Sequence, residues 1–263
     1  FFKKLKFYNN LNKKQMKAII LAGGKGTRLK EIIRDVPKPM ATIADKPFLE
    51  YLILQISEWN IRNVVLSVGY KKGIIKSYFS TGEKWGVKIS YSEEDEPLGT
   101  GGAIREAAKL IDDDDFIVMN GDSFFDVNFD QLITFHKSKQ SVTTISLAHV
   151  DNTSRYGKVE INDRSEVIRF AEKGVSCNGL INGGIYIFNR DVIKNIPDGK
   201  ISLESEVLPV LVNQRLFGMA AKGFFIDIGI PDVWVDTNGG QTFKNHLTSL
   251  KTNSKATKNI RRF

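Results

Sequence analysis

The sequence predicts an α/β fold: an open, mostly parallel sheet flanked by helices, continued by a mixed or antiparallel extension. Three observations lead there. Residues 18–22, 64–68 and 116–119 are short apolar runs, most of them rich in branched side chains, as strands buried on both faces are. Between them lie stretches with apolar residues at helical spacing, such as Leu49, Leu52, Ile53 and Ile56. From residue 141 the texture changes, with strands expected at 141–150, 157–161, 167–170 and 183–188 and turn residues between them. Alternating strands and helices argue for parallel neighbours, and in such sheets a ligand sits beyond the carboxyl ends of the strands.

The first strand, 18–22, runs into Gly23-Gly24-Lys25-Gly26-Thr27-Arg28. Three glycines in four positions let backbone N–H groups close around an anion, and Lys25 and Arg28 add positive charge there. A triphosphate suits such a turn; a tight β-to-α turn with incidental basic residues is the plainer alternative. The spacing excludes G-x-x-x-x-G-K-[ST], and Leu29 stands where the dinucleotide pattern G-x-G-x-x-G needs its third glycine, which argues against a nicotinamide oxidoreductase.

A short helix is expected over 29–34, then Pro37-Lys38-Pro39-Met40. Flanking prolines hold Lys38 extended on a stiff loop, either beside a phosphate or simply solvated. Helix 48–59, strand 64–68, a helix around 74–79 and strand 87–91 follow. Next come Glu93-Glu94-Asp95-Glu96-Pro97 and a Gly99-Thr100-Gly101-Gly102 turn opening a helix over 103–110, a second place for backbone to approach a ligand. Asp112 to Asp115 read as a solvated turn. Strand 116–119 ends in Asn120-Gly121-Asp122, an acid placed for a divalent cation or equally for a helix cap. The later strands carry Glu172-Lys173 and Asn182-Gly183, able to bind hydroxyls and phosphate or to be ordinary surface. A helix is expected over 201–211. Asp227 sits inside Phe225-Ile226-Asp227-Ile228-Gly229, where an uncompensated carboxylate costs several kcal/mol; a metal ion would compensate it.

At 263 residues, 41% hydrophobic and 26% charged, the chain has the composition of a globular enzyme and ample length for a core. The net charge of +8 belongs to its ends. Residues 1–15 carry five lysines and residues 242–263 four lysines and two arginines, with no acid in either, which leaves the body at −3. No basic platform for nucleic acid results. Cys177 is the single cysteine, and no apolar stretch is long enough for membrane insertion, so a cytoplasmic protein is expected. The boundaries read as a basic extension (1–15), one domain (16–236, changing character at 140/141) and a basic tail (237–263).

Taken together, Gly23 to Leu29, Pro37 to Met40, Asp45-Lys46-Pro47, Glu96 to Gly102, Asn120-Gly121-Asp122, Glu172-Lys173 and Phe225 to Gly229, in register, resemble the sugar-phosphate nucleotidyltransferases. Within that family the pattern is most similar to the guanylyltransferases acting on heptose 1-phosphate, then on mannose 1-phosphate. Gly174 stands where the family has proline. The resemblance implies a Rossmann-like fold, with 16–140 binding nucleotide and 141–236 binding sugar. It implies in-line attack of a sugar 1-phosphate on an NTP, with pyrophosphate leaving and Mg²⁺ held by Asp122 and Asp227. Lys25, Arg28, Lys38 and Asp122 would be catalytic. Leu21, Ala22, Gly23, Gly24, Gly26, Thr27, Glu94, Pro97, Gly99, Thr100 and Gly121 would bind the nucleotide. Glu172, Lys173, Asn182 and Gly183 would bind the sugar phosphate. Glu93, Glu94 and Glu96 lie where the family places its base-reading loop, or are simply solvated. Guanine offers N1–H and N2–H₂ donors that one carboxylate can accept together, so Glu94, taken as the base reader, favours GTP. The alternatives are a thymidylyl- or uridylyltransferase and a non-catalytic nucleotide-sugar-binding relative. Oligomeric state is left open.

Overall fold

The computed structural model describes residues 16–24, 26, 35–43, 45–174, 177–229 and 242–246. The helix expected over 29–34, together with Lys25, Thr27 and Arg28, lies outside them. Among the described residues the main sheet has seven strands in the order β12-β8-β11-β6-β1-β4-β5. Its parallel half comprises β1 (Ala18–Leu21), β4 (Asn63–Val68), β5 (Lys88–Glu93) and β6 (Asp115–Asn120). The other half holds β8 (Thr143–Val150), β11 (Gly179–Asn189) and β12 (Leu216–Ala221). Strand β11 runs antiparallel to both β6 and β8, while β8 and β12 keep the direction of β6, so the mixed character after residue 141 comes from one reversed strand within the sheet.

Helices α1 (Phe48–Glu58), α2 (Lys72–Phe79), α3 (Gly99–Ala108) and α4 (Phe129–Ser138) follow the parallel strands, and the short α5 (Arg190–Lys194) and α6 (Leu208–Leu211) the later ones. Ile19, Val65 and Val118 face a core under α3, while Ile20, Leu66 and Met119 face one built with α1, as alternation across buried strands requires. Three small pairs complete the fold: β2 (Thr42–Ile43) with β3 (Lys46–Pro47), β7 (Ser123–Phe125) with β13 (Phe225–Asp227), and β9 (Val159–Ile161) with β10 (Val167–Phe170). No helix among the described residues is long and apolar enough to cross a membrane.

Four local expectations change. Lys38 starts a 3₁₀ turn (Lys38–Met40) after an extended Pro37; Pro39 fits there because the first turn needs no N–H from it. The Gly99-Thr100-Gly101-Gly102 segment is the first turn of α3, four residues earlier than its composition suggests. The four aspartates are not simply solvated. Asp113 is buried, Lys17 pairs with Asp112 and Asp113, and Asp115 opens β6 and accepts a hydrogen bond from Asn189. The helix expected over 201–211 is a wide helical turn (Leu203–Val207) running into α6.

Residues 242–246, assigned from composition to a basic tail, are helical, and Phe243 is fully buried. Its ring meets Tyr51 at 5.0 Å, Phe124 at 5.2 Å, Phe224 at 5.9 Å and Phe48 at 6.1 Å between centroids. Net charge hides a single anchoring aromatic. Phe243→Ala is expected to cost about 3–5 kcal/mol of stability. A urea midpoint lowered at unchanged slope is the measurement, and a wild-type midpoint would place Phe243 outside the folded body.

Candidate active site

The parallel strands end together, and their ends make the site. Leu21, Gly69, Glu94 and Asn120 stand at or just after the last residues of β1, β4, β5 and β6, and all four line a cavity of about 920 Å³. Gly23, Gly24 and Gly26 line it too, with Pro97, Gly99 and Thr100 across from them. Ala22 does not. It is fully buried behind the turn, its N–H donating to the Ser67 carbonyl at 2.7 Å.

The glycine requirement is steric at specific points. A Cβ on Gly23 would stand 2.6 Å from Glu94 Oε1, and one on Gly121 would run into the Leu21 carbonyl. Gly26 has φ of +58° and faces the Lys38 stem. The second glycine run has a different cause. Gly101 N–H donates to the Ile201 carbonyl at 2.8 Å, and Cβ atoms on Gly99 or Gly102 would collide with the Ile201 or Gly199 carbonyl. These glycines admit a neighbouring chain segment, and Gly99 lines the cavity as well. Thr100 completes the clasp: its Oγ1 donates to Glu204 Oε2 at 2.8 Å and accepts the Leu203 N–H at 2.8 Å. The clasp brings Lys200 and Glu204 to the cavity wall. No local sequence signal could have placed them there; the glycine count was the trace of it.

Glu94 is turned inward. Its Oε1 accepts from the Ser67 hydroxyl at 3.0 Å and its Oε2 from the Leu98 N–H at 3.1 Å, tying β4, β5 and the start of α3 together. Four lone-pair sites on a carboxylate leave room for a ligand's donors as well. Glu93 points elsewhere and pairs with Lys72 and Lys76, whose hydrogen bonds hold its carboxyl below the usual range. Tyr70 and Lys72, which the sequence did not single out, also line the cavity.

At one edge of the cavity the two acids meet. Asp227 lies on β13 opposite Ser123 of β7, and the Ile228 N–H donates to the Asp122 carbonyl at 2.9 Å. Lys38 Nζ donates to Asp122 Oδ2 at 2.6 Å. A Cβ on Gly229 would collide with both Lys38 Nζ and Asp227 Oδ1, so the lysine and the second carboxylate share one small space. Burial pushes the Asp227 carboxyl above its ordinary value, and the charge of Asp122 adds to that; Lys38, the Gly229 N–H and Lys173 oppose it. Two carboxylates crowded around one cation leave excess negative charge. Among the described residues no third His, Cys, Asp or Glu joins them. Such a donor pair fits Mg²⁺, which takes one or two protein carboxylates and completes its shell from phosphate and water.

The residues assigned to the sugar side are not among those lining the cavity. Glu172 and Lys173 are exposed, Lys173 close enough to act on Asp227. Asn182 and Gly183 sit at a bulge in β11, where Gly184 (φ +75°) packs against Ser123 and Asn120. Tyr156 faces the same acid: its ring lies edge-on to Phe225 at 5.5 Å, and burial first, then Asp227, pushes its hydroxyl up to about 12.

Comparison with known proteins bears on the fold and the family. The family model described as nucleotidyl transferase matches residues 17–240. The chain is 43% identical over 218 residues to the D-glycero-alpha-D-manno-heptose 1-phosphate guanylyltransferase of Campylobacter jejuni, covering 82% of this chain and 96% of that one. It is 35% identical over 226 residues to the mannose-1-phosphate guanylyltransferase of Mycobacterium tuberculosis, covering 84% and 63%. The crystal structure of HddC from Yersinia pseudotuberculosis complexed with GMP-PN superposes with a TM-score of 0.77 at 36% identity, over 87% of this chain and 100% of that one.

Proposed function

The chain belongs to the nucleotidyl transferase family, as a sugar-1-phosphate nucleotidyltransferase, and from that premise we propose that it joins GTP to a heptose or mannose 1-phosphate. One observation carries the chemistry: Asp122, Asp227 and Lys38 converge at the edge of a glycine-lined cavity at the carboxyl ends of parallel strands.

An oxygen of the sugar 1-phosphate attacks the α-phosphorus of the triphosphate in line, a new P–O bond forming as the α–β bridging bond breaks and pyrophosphate leaves. The nucleophile is already an anion, so no side chain has to remove a proton. The chain's task is to hold two polyanions together and spread the charge that gathers between them. Asp122 and Asp227 would hold Mg²⁺, whose chemistry is Lewis-acid neutralisation of phosphate oxygens. Lys38, carried on a short proline-flanked turn, sits where both phosphates must come and offers its ammonium to them. Lys25, Thr27 and Arg28 belong to the same reading as triphosphate contacts and lie outside the described residues.

Glu94 would read guanine through N1–H and N2–H₂ while Ser67 and Leu98 fix its carboxylate. Adenine offers an acceptor where guanine offers a donor, and a half-buried, anchored carboxylate disfavours that mismatch. Glu172, Lys173, Asn182 and Gly183 are assigned to the sugar phosphate. A panel of five NTPs against heptose, mannose and glucose 1-phosphates, read as pyrophosphate release, tests this. GTP is expected to lead by at least about 10²-fold over ATP, since a site whose acceptor pairs with a substrate's N–H donors discriminates strongly against a base that lacks them. Turnover with dTTP or UTP alone would reverse the assignment of the base.

A further inference from the structure

Tyr186 is among the largest fully buried side chains of the protein, yet it is not an apolar one. It lies in β11 opposite Val118 and Ile145, inside an otherwise hydrophobic cluster, with its ring 5.8 Å from that of Phe188. Phenylalanine would pack there as well, and a hydroxyl buried so deeply costs stability unless it is used.

Its use is visible four residues upstream. Asn182 Nδ2 donates to the Tyr186 hydroxyl at 2.7 Å, and Asn182 Oδ1 accepts the Gly184 N–H at 3.0 Å. Register along β11 shifts between Asn182 and Tyr186, and the positive φ of Gly184 makes that bulge. Both ends of the Asn182 amide are therefore held, one by the strand's own bulge and one from the core beneath. The hold leaves one Nδ2 hydrogen and one Oδ1 lone pair for a ligand. Asn120, on the cavity wall at the end of β6, faces the same hydroxyl from the nucleotide side. Burial pushes this phenol far above its ordinary value, so it stays protonated at every working pH and the contact does not titrate.

We propose that Tyr186 is a positioning residue for the sugar 1-phosphate, its buried hydroxyl fixing the Asn182 amide in the orientation that meets the sugar. This rests on the reading of Asn182 as a sugar contact, and the experiment separates the two. Wild type, Tyr186→Phe, Asn182→Ala and the double variant are compared with mannose 1-phosphate and GTP as substrates. KM for each substrate, kcat, Tm and mannose 1-phosphate binding by calorimetry without turnover are measured.

Tyr186→Phe keeps the shape of the core, so its Tm is expected to stay within a few degrees of wild type. Its KM and dissociation constant for mannose 1-phosphate are expected to rise about tenfold, the scale of one lost hydrogen bond that leaves a partner unpaired, with KM for GTP unchanged. Because the hydroxyl acts through Asn182, the double variant should bind mannose 1-phosphate no worse than Asn182→Ala alone. If Asn182→Ala weakens sugar binding and Tyr186→Phe does not, Tyr186 is a packing residue only. It is equally a packing residue if Tyr186→Phe shifts KM for GTP and for sugar together, or if the two variants add. If Asn182→Ala leaves sugar binding as in wild type, the sugar assignment of Asn182 is wrong, and the role of Tyr186 goes with it.

Discussion

Asp227→Asn is expected to lower kcat by about 10³-fold or more while leaving the fold as stable as wild type, or more so. The expectation on rate follows from what the substitution removes. Asparagine keeps the shape and can still accept the Gly229 N–H, which now meets Asp227 Oδ1 at 2.6 Å. Only the charge goes. A cation site reduced from two carboxylates to one loses several kcal/mol of charge stabilisation in the transition state, and each 1.36 kcal/mol is a factor of ten. The expectation on stability has the opposite sign. Burial and the neighbouring Asp122 already push the Asp227 carboxyl above its ordinary value, so the folded chain holds that charge against its preference. Removing it relieves the crowding, the pattern of a site kept for activity at the expense of stability. Single-turnover rates at saturating Mg²⁺ and a melting curve in metal-free buffer measure both halves. Wild-type rates in the variant would remove Asp227 from the cation site.

How much of this could be read from the chain differs from one residue to the next. Strands β1, β4 and β6 announce themselves because a strand buried on both faces is a continuous apolar run, a purely local signal. The residues at their ends, Gly23, Gly121 and Asp122, are legible for the same reason: they interrupt those runs at the place where an α/β sheet puts its ligand. Asp227 was legible as an acid that its apolar neighbours do not explain. Less legible were relations across the chain. Gly99 to Gly102 read as a place where a ligand approaches, and the fold adds a second reason for the same composition, the close passage of the 199–201 segment. Phe243 was hidden in a basic tail, since net charge says nothing about one buried ring. Tyr186 was hidden in a strand, because its hydroxyl meets Asn182, a partner that the bulge at Gly184 brings into line.

Lys38→Met is expected to lower kcat/KM by about 10²- to 10³-fold, the range seen when one preorganised charge or donor is taken from a transition state. Methionine replaces the stem and keeps its packing on the 3₁₀ turn, so the loss reports the ammonium. The structure adds a second, less obvious consequence. Lys38 Nζ sits 2.6 Å from Asp122 Oδ2 and beside Asp227, neutralising part of the charge that would attract a divalent ion. The side chain is only 14% exposed, so water screens that competition little. Taking it away should make Mn²⁺, used as a paramagnetic stand-in for Mg²⁺, bind the nucleotide-free protein more tightly even as turnover falls. Asp227→Asn should move both quantities down together. A Lys38→Met protein that binds Mn²⁺ more weakly than wild type would show that the lysine orders the carboxylates and does not compete for them. The two variants measured side by side thus separate a charge that holds the cation from a charge that yields to it.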